Sequence, residues 1–269
     1  MMSSFAKTLN AYYAGYAYEA AQHLRLTVRS TPPETRFVLF ARGRSGTTLL
    51  LSMLNAHPAV EADGEILRRR ALCPLQLVKQ CEAQTQASVY GFKLLSYQLR
   101  SLQTHLPDRR AFLEALVEQG YRVLYLRRQN LLRHALSGLY AEHRRRWHQT
   151  ETDAADRPAI RVRRDDLFRW LDGSAQLRRF EQEAIGGLPH LSLTYEEHLE
   201  DPACHADTLR RVTEWLNLDP IAPDTSLCKT TPRRLSELAT NPDDVRRWVA
   251  ASPYAHFLKA TRLDVPNRE

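Results

Sequence analysis

Seven consecutive residues, Arg42-Gly43-Arg44-Ser45-Gly46-Thr47-Thr48, put backbone freedom, positive charge and hydroxyl groups into one short turn. They follow the apolar run Phe37-Val38-Leu39-Phe40-Ala41 and precede Leu49 and Leu50, so a buried strand stops in a turn and restarts as a helix. Such a junction binds anions. The first N–H groups of a helix lack backbone partners, and that end carries partial positive charge. Gly43 and Gly46 permit close approach, Arg42 and Arg44 supply charge, and Ser45, Thr47 and Thr48 supply hydroxyl donors. The loop of nucleoside triphosphatases needs Gly, four residues, then Gly-Lys-Ser/Thr; here Ala41 and Thr47 occupy the first Gly and the Lys positions. The turn is therefore built for an anion other than a magnesium-bound triphosphate, the plainer alternative being an arginine-rimmed strand-turn-helix.

The elements that must position this turn alternate along the chain. Thr47 to Asn55 repeats leucines at helical spacing and His57-Pro58 ends it; Val89 to Leu95 reads as a short buried strand. Asp108 is an N-cap for a helix from Arg109 to Gln119, closed by Gly120, and Arg122 to Leu126 is the next strand. Helices are expected from Leu131 to about His148, from Asp166 to Ala184, from Asp207 to Leu216 and from Pro242 to Ala251, with a strand at Leu191 to Tyr195. Strands alternating with helices imply βαβ units, hence an α/β fold with a central parallel sheet flanked by helices. Ligands then gather at the carboxyl ends of the strands. Glu151 to Arg164, charged and without clear period, is expected to be a mobile loop.

With 269 residues and 43% apolar content the chain can bury a sizeable core, and no Gly/Ser- or Pro-rich linker divides it. A single domain over 31–269 is expected, after an N-terminal helical extension at 1–30 whose Tyr12, Tyr13, Tyr16 and Tyr18 pack on the domain or touch a membrane surface. Net charge is +7, mostly arginine, whose forked guanidinium matches phosphate and sulfate oxygens in pairs. The arginines are scattered without interleaved aromatics, which argues against nucleic acid. Cys73, Cys81, Cys204 and Cys228 form no Cys-x-x-Cys pair and have no His at metal-ligand spacing, so no metal is expected. Unpaired thiols and the lack of an apolar leader point to the cytoplasm.

The Arg-Ser-Gly-Thr-Thr turn at Arg44 to Thr48 resembles the 5′-phosphosulfate loop of the sulfotransferases, which use 3′-phosphoadenosine 5′-phosphosulfate (PAPS). Arg44 stands where the bacterial and carbohydrate branches carry Arg and the cytosolic branch Lys. Further likeness runs from about Arg36 to Leu258. Arg127-Arg128 at a strand end and Ser137 on the next helix resemble the grip on the 3′-phosphate, though the family spacing of eight residues falls on Gln129, leaving Arg128 or Arg127 as the cation. Asn55-Ala56-His57-Pro58 leading to Gly64-Glu65 is similar to the segment that carries the general base in bacterial relatives, which makes Glu65 that base. Thr104-His105-Leu106-Pro107 resembles the cytosolic base string, so His105 competes. The resemblance also implies that Lys93 stabilises the transferring sulfuryl group, that Tyr195 lies near the adenine, and that Lys229, Arg233 and Arg234 fold over the cofactor. It implies a metal-free sulfuryl transfer from PAPS to a hydroxyl of a saccharide, lipid or small molecule, in a P-loop-like fold of bacterial type. A nucleotide-dependent phosphotransferase, or a non-catalytic nucleotide-binding protein of the same fold, stands as the alternative.

Overall fold

The computed structural model describes residues 32–144, 158–225, 227, 231–232 and 234–259. The N-terminal extension, Lys229 and Arg233 lie outside the described residues. The chain groups into two compact units, one comprising 1–127 with 180–224 and the other 128–179 with 225–269.

The first unit holds a fully parallel five-stranded sheet in the order β2-β3-β1-β4-β5, with β1 Thr35–Ala41, β2 Val60–Asp63, β3 Val89–Leu95, β4 Tyr121–Arg127 and β5 His190–Thr194. The expected α/β fold with a central parallel sheet flanked by helices is what the chain adopts. Two-residue periodicity sorts the strands between two faces. Phe37, Leu39, Leu124, Leu126 and Leu193 bury one face against helix α1 (Thr47–Asn55) and the later helix at His205–Leu216. Val38, Phe40, Phe92, Leu94, Val123 and Tyr125 bury the other against α2 (Pro74–Glu82) and α3 (Arg109–Glu118). Gly91 in β3 is where Phe37 lies across the sheet; a Cβ there would stand 2.2 Å from the ring. After β1 the chain turns to β2 and β3 on one side and then crosses to β4 on the other. This reversal puts the switch point of the sheet beside the carboxyl end of β1, where the Arg42 to Gly46 turn begins.

Helices α4 (Leu131–Arg144) and α5 (Arg164–Ile185) follow β4, and after β5 come α6 (Tyr195–His198), α7 (His205–Leu216), α8 (Leu235–Leu238), α9 (Pro242–Ala250) and α10 (His256–Lys259). The second unit has its own core, in which Leu132, Leu136, Tyr140, Leu167, Leu171, Leu235, Val245 and Phe257 pack together. The expectation of a mobile loop at Glu151 to Arg164 is corrected for its described part. Ile160 and Val162 are buried, Ile160 bridges to Ala239, and the Asn241 side chain both accepts from Val162 N–H and donates to Val162 C=O. The signal lay in Ile160-Arg161-Val162-Arg163, where apolar and charged residues alternate. Asp108 caps α3 as expected, its carboxylate accepting from the Arg110 and Ala111 N–H groups. β5 ends at Thr194, and Tyr195 opens a helix rather than closing the strand. β2 and α2 carried too little pattern to be read from sequence. No helix among the described residues is long and apolar enough to cross a membrane, and Cys73, Cys81 and Cys204 form no disulfide.

Candidate active site

The turn after β1 has a backbone suited to an anion. Arg44 (φ 63°) and Gly46 (φ 86°) are left-handed, whereas Gly43 and Ser45 have negative φ, so the sign alternates through four residues. Such alternation turns successive N–H groups toward one concavity, a nest for a negatively charged group. Helix α1 starts immediately afterwards at Thr47, adding its own N-terminal N–H groups. Ser45 is fully buried, yet its Oγ has no hydrogen-bond partner among the described residues. An orphaned hydroxyl and a concave run of amides fit a phosphate or sulfate oxygen. Gly46 is required sterically as well: a Cβ there would meet Tyr195 Cδ2 at 2.7 Å and Leu199 Cδ1 at 3.1 Å. Tyr195, proposed from sequence for the adenine, thus packs against the turn.

The sequence placed Arg42 and Arg44 together as cations of the turn, and the structure separates them. Arg42 is buried and forms an ion pair through Nε, 3.1 Å from Glu181 Oε2. Arg44 is only partly buried, which leaves it as the cation at the rim. Beside the turn, Lys93 Nζ lies 3.1 Å from Glu65 Oε1 and 3.5 Å from Thr48 Oγ1, at the edge of hydrogen-bond range. One cation therefore joins the candidate base to the first turn of α1. Glu65 thus pairs with Lys93.

Gln98 was missed by sequence reasoning. Its side chain is buried; Nε2 donates to Glu65 Oε2 at 2.7 Å and Oε1 accepts from the Leu95 N–H at 3.0 Å. It sits at the start of a π-helical turn, Gln98–Leu102, a rare geometry that clusters at functional sites. Tyr97 OH reaches the same Glu65 oxygen at 3.4 Å, and burial, followed by the negative charge of Glu65, raises its phenol above the ordinary range. The Asn55 to His57 segment sets the approach to Glu65. Asn55 Nδ2 and Oδ1 pair with both backbone groups of Ala62, and His57 accepts from Ala59 N–H through Nδ1, leaving Nε2 to donate to Asp219 C=O at 3.2 Å. His105 is exposed in the turn before α3.

Arg127, the last residue of β4, approaches Thr194 Oγ1 at 3.5 Å. In the second unit, Arg128 is buried to 4% exposure while Gln129 is exposed, and Asn130 caps α4 by accepting from the Arg133 N–H. Ser137 Oγ and Thr231 Oγ1 are hydrogen-bonded at 2.9 Å, both buried. Arg234 turns to its neighbour Glu237, Nε 3.8 Å from Oε1.

Over 256 residues, 89% of this chain and 99% of the relative, the sequence is 23% identical to nodulation protein H of Rhizobium tropici. Among solved structures it aligns with a sulfotransferase from Alicyclobacillus acidocaldarius at 14% identity and a TM-score of 0.48, covering 86% of this chain and 95% of that one. The chain resembles sulfotransferases. The sulfotransferase domain of a Synechococcus olefin synthase aligns at 15% identity, TM-score 0.43, over 89% of this chain and 99% of that one. A sulfotransferase from Mycobacterium avium aligns at 14% identity, TM-score 0.44, over 93% and 82%. No protein-family profile matches the chain.

Proposed function

We propose that the protein is a sulfotransferase that moves the sulfuryl group of PAPS onto an acceptor hydroxyl. The observation that carries this reading is the sign-alternating turn at the carboxyl end of β1 with the Thr48–Lys93–Glu65 chain leading away from it. An anion cradle and a carboxylate joined by one buried lysine are what a transfer from a phosphate leaving group to a hydroxyl needs. The sequence match to nodulation protein H along nearly its whole length supports the same class.

The donor supplies a sulfuryl group activated by its bond to the 5′-phosphate. The N–H groups from Gly43 to Thr48 and the Arg44 guanidinium hold the 5′-phosphate. They stabilise the charge that grows on its oxygen as the sulfur–oxygen bond breaks. Glu65 takes the proton of the acceptor hydroxyl while the acceptor oxygen bonds to sulfur. Gln98 and Tyr97 hold the carboxylate in position for that step, and Lys93 faces the transferring group's negative oxygens. The products are a sulfate ester and adenosine 3′,5′-bisphosphate. Arg128 and Ser137 are assigned the 3′-phosphate, the burial of Arg128 favouring it over Arg127. Tyr195 is assigned to the nucleotide base, and Lys229, Arg233 and Arg234 to the outer wall of the cofactor. Glu65 is assigned as the base, its ion pair with Lys93 favouring it over His105.

Thermal unfolding with adenosine 3′,5′-bisphosphate, compared with ATP and magnesium, tests the reading. Greater stabilisation by the bisphosphate is expected. Greater stabilisation by ATP would point to phosphotransfer, and none by either to a protein that has lost nucleotide binding. The acceptor, a saccharide, lipid or small-molecule hydroxyl, is to be found by supplying labelled PAPS to cell extract and identifying the labelled product.

A further inference from the structure

Glu181, near the end of α5, is fully buried and takes no part in the chemistry above. Three groups converge on its carboxylate. Arg42 Nε lies 3.1 Å from Oε2, Tyr125 OH donates to Oε2 at 3.1 Å, and Ser96 Oγ donates to Oε1 at 2.7 Å. Arg42 directly follows β1, Ser96 directly follows β3, and Tyr125 lies near the carboxyl end of β4. These strands are neighbours in the order β3-β1-β4, with Ala41 paired to Leu95 and Phe40 to Tyr125. A single carboxylate therefore joins the carboxyl ends of the three central strands, directly beneath the anion-binding turn.

A buried carboxylate is costly unless compensated, and a site without function would more readily be filled by apolar side chains. The arrangement also decides where Arg42 goes. Its neighbour Gly43 begins the nest, so a guanidinium free to swing would compete for the nest's anion and drag the backbone with it. Held by Glu181, Arg42 points beneath the sheet and the turn keeps its alternating shape.

We infer that Glu181 is a positioning residue for the anion-binding turn. By holding Arg42 under β1 it fixes the backbone from Gly43 to Thr48 in its anion-binding form, without touching the donor. This deepens the proposed function and rests on it only for the identity of the anion. Burial raises the Glu181 carboxyl, while Arg42, Ser96 and Tyr125 oppose that rise.

The test is amide hydrogen exchange on the intact protein together with calorimetric binding of adenosine 3′,5′-bisphosphate. In Glu181→Gln, exchange from Gly43 to Thr48 should accelerate about tenfold while β5 amides change much less, and the bisphosphate Kd should rise about tenfold. Because Glu181→Gln strands a buried guanidinium and could unfold the protein, Ser96→Ala serves as a milder variant: it removes one hydrogen bond to the same carboxylate and should accelerate the same amides a few-fold. The double variant Glu181→Gln/Arg42→Gln should be less impaired than the two single effects combined. Wild-type exchange across Gly43 to Thr48 in both Glu181→Gln and Ser96→Ala overturns the inference, whether or not the bisphosphate binds. Failure of the wild type to bind the bisphosphate overturns the proposed donor instead, and leaves the exchange result to decide the role of Glu181.

Discussion

Arg44 holds a left-handed backbone (φ 63°), a conformation that costs a non-glycine residue roughly 1 kcal/mol or more. The turn carries that strain at the residue proposed to meet the developing anion. Arg44→Ala keeps the strain and removes the charge, so kcat/KM should fall by about a hundredfold, some 3 kcal/mol in the transition state. Arg44→Lys should fall less. Steady-state kinetics with PAPS decide it, and near-normal activity in Arg44→Ala would move the sulfuryl site away from this turn. Glu65 and Gln98 give a paired prediction. Glu65→Gln should cut kcat while bisphosphate affinity stays close to wild type. Gln98→Ala, which removes the 2.7 Å bond to the same carboxylate, should cut kcat by a smaller factor, about tenfold if that bond is worth roughly 1.4 kcal/mol. His105→Ala should leave kcat alone. If His105→Ala abolishes turnover and Glu65→Gln does not, the histidine is the base and Glu65 serves to anchor Lys93.

Short elements carry more of the arrangement than their length suggests. The turn from Arg128 to Asn130 decides which cation precedes α4: Asn130 caps the helix, Gln129 is exposed, and Arg128 is left buried. Arg128→Ala should therefore weaken adenosine 3′,5′-bisphosphate far more than the analogue lacking the 3′-phosphate, by roughly 1.5–3 kcal/mol for a charged contact. Ser137→Ala should do so less, and a thermal-stability control is needed because Thr231 loses its partner. Equal losses for both ligands, measured by calorimetry, would exclude Arg128 from the 3′-phosphate. In the second unit Asn241 stands in for a strand partner at Val162. Asn241→Ala leaves two backbone groups without it and should cost about 1–3 kcal/mol. Exchange should rise at Ile160 and Val162, and chemical denaturation with local hydrogen exchange will show whether it does.

Two faces of one sheet and a separate helical core bury the bulk of the apolar side chains, and several tyrosines pair with carboxylates inside those cores or at their edges. Tyr121 donates to Glu82, which also pairs with Arg36; Tyr90 donates to Asp63 and Tyr125 to Glu181; in the second unit Tyr254 donates to Asp172. Burial, reinforced by these carboxylates, raises each phenol, Tyr254 up to about 12. A raised phenol holds its proton more tightly in the folded protein than in the unfolded chain. Its contribution to stability is therefore complete below the ordinary value of about 10 and is lost as pH climbs through the folded value. Absorbance titration at high pH should find these tyrosines ionising late, and late ionisation should vanish in denaturant. Tyr254→Phe should remove one such group without changing bisphosphate binding. Ordinary titration of all tyrosines in the folded protein would contradict these tyrosine–carboxylate pairs.

The local pattern of the chain was enough for the parallel sheet and the turn after β1, whereas the candidate roles of Glu65 and Lys93 were implied by the resemblance to sulfotransferases. Strand and helix periods, glycines and hydroxyls act over a few neighbouring residues, and that is the range over which sequence reports. What sequence could not decide was pairing at a distance. Arg42 and Arg44 are equivalent cations in a seven-residue string, and only the approach of Glu181, far along the chain, sends one beneath the sheet and leaves the other at the rim. Gln98 has no local signal, since its role exists only where the end of β3 meets Glu65. Ile160 and Val162 alternate visibly, yet a two-residue period of such length becomes structure only when Ala239 and Asn241 arrive to pair it. Contacts of this kind are made by folding: each joins groups that are separated in sequence and share a buried, low-dielectric space only in the tertiary structure.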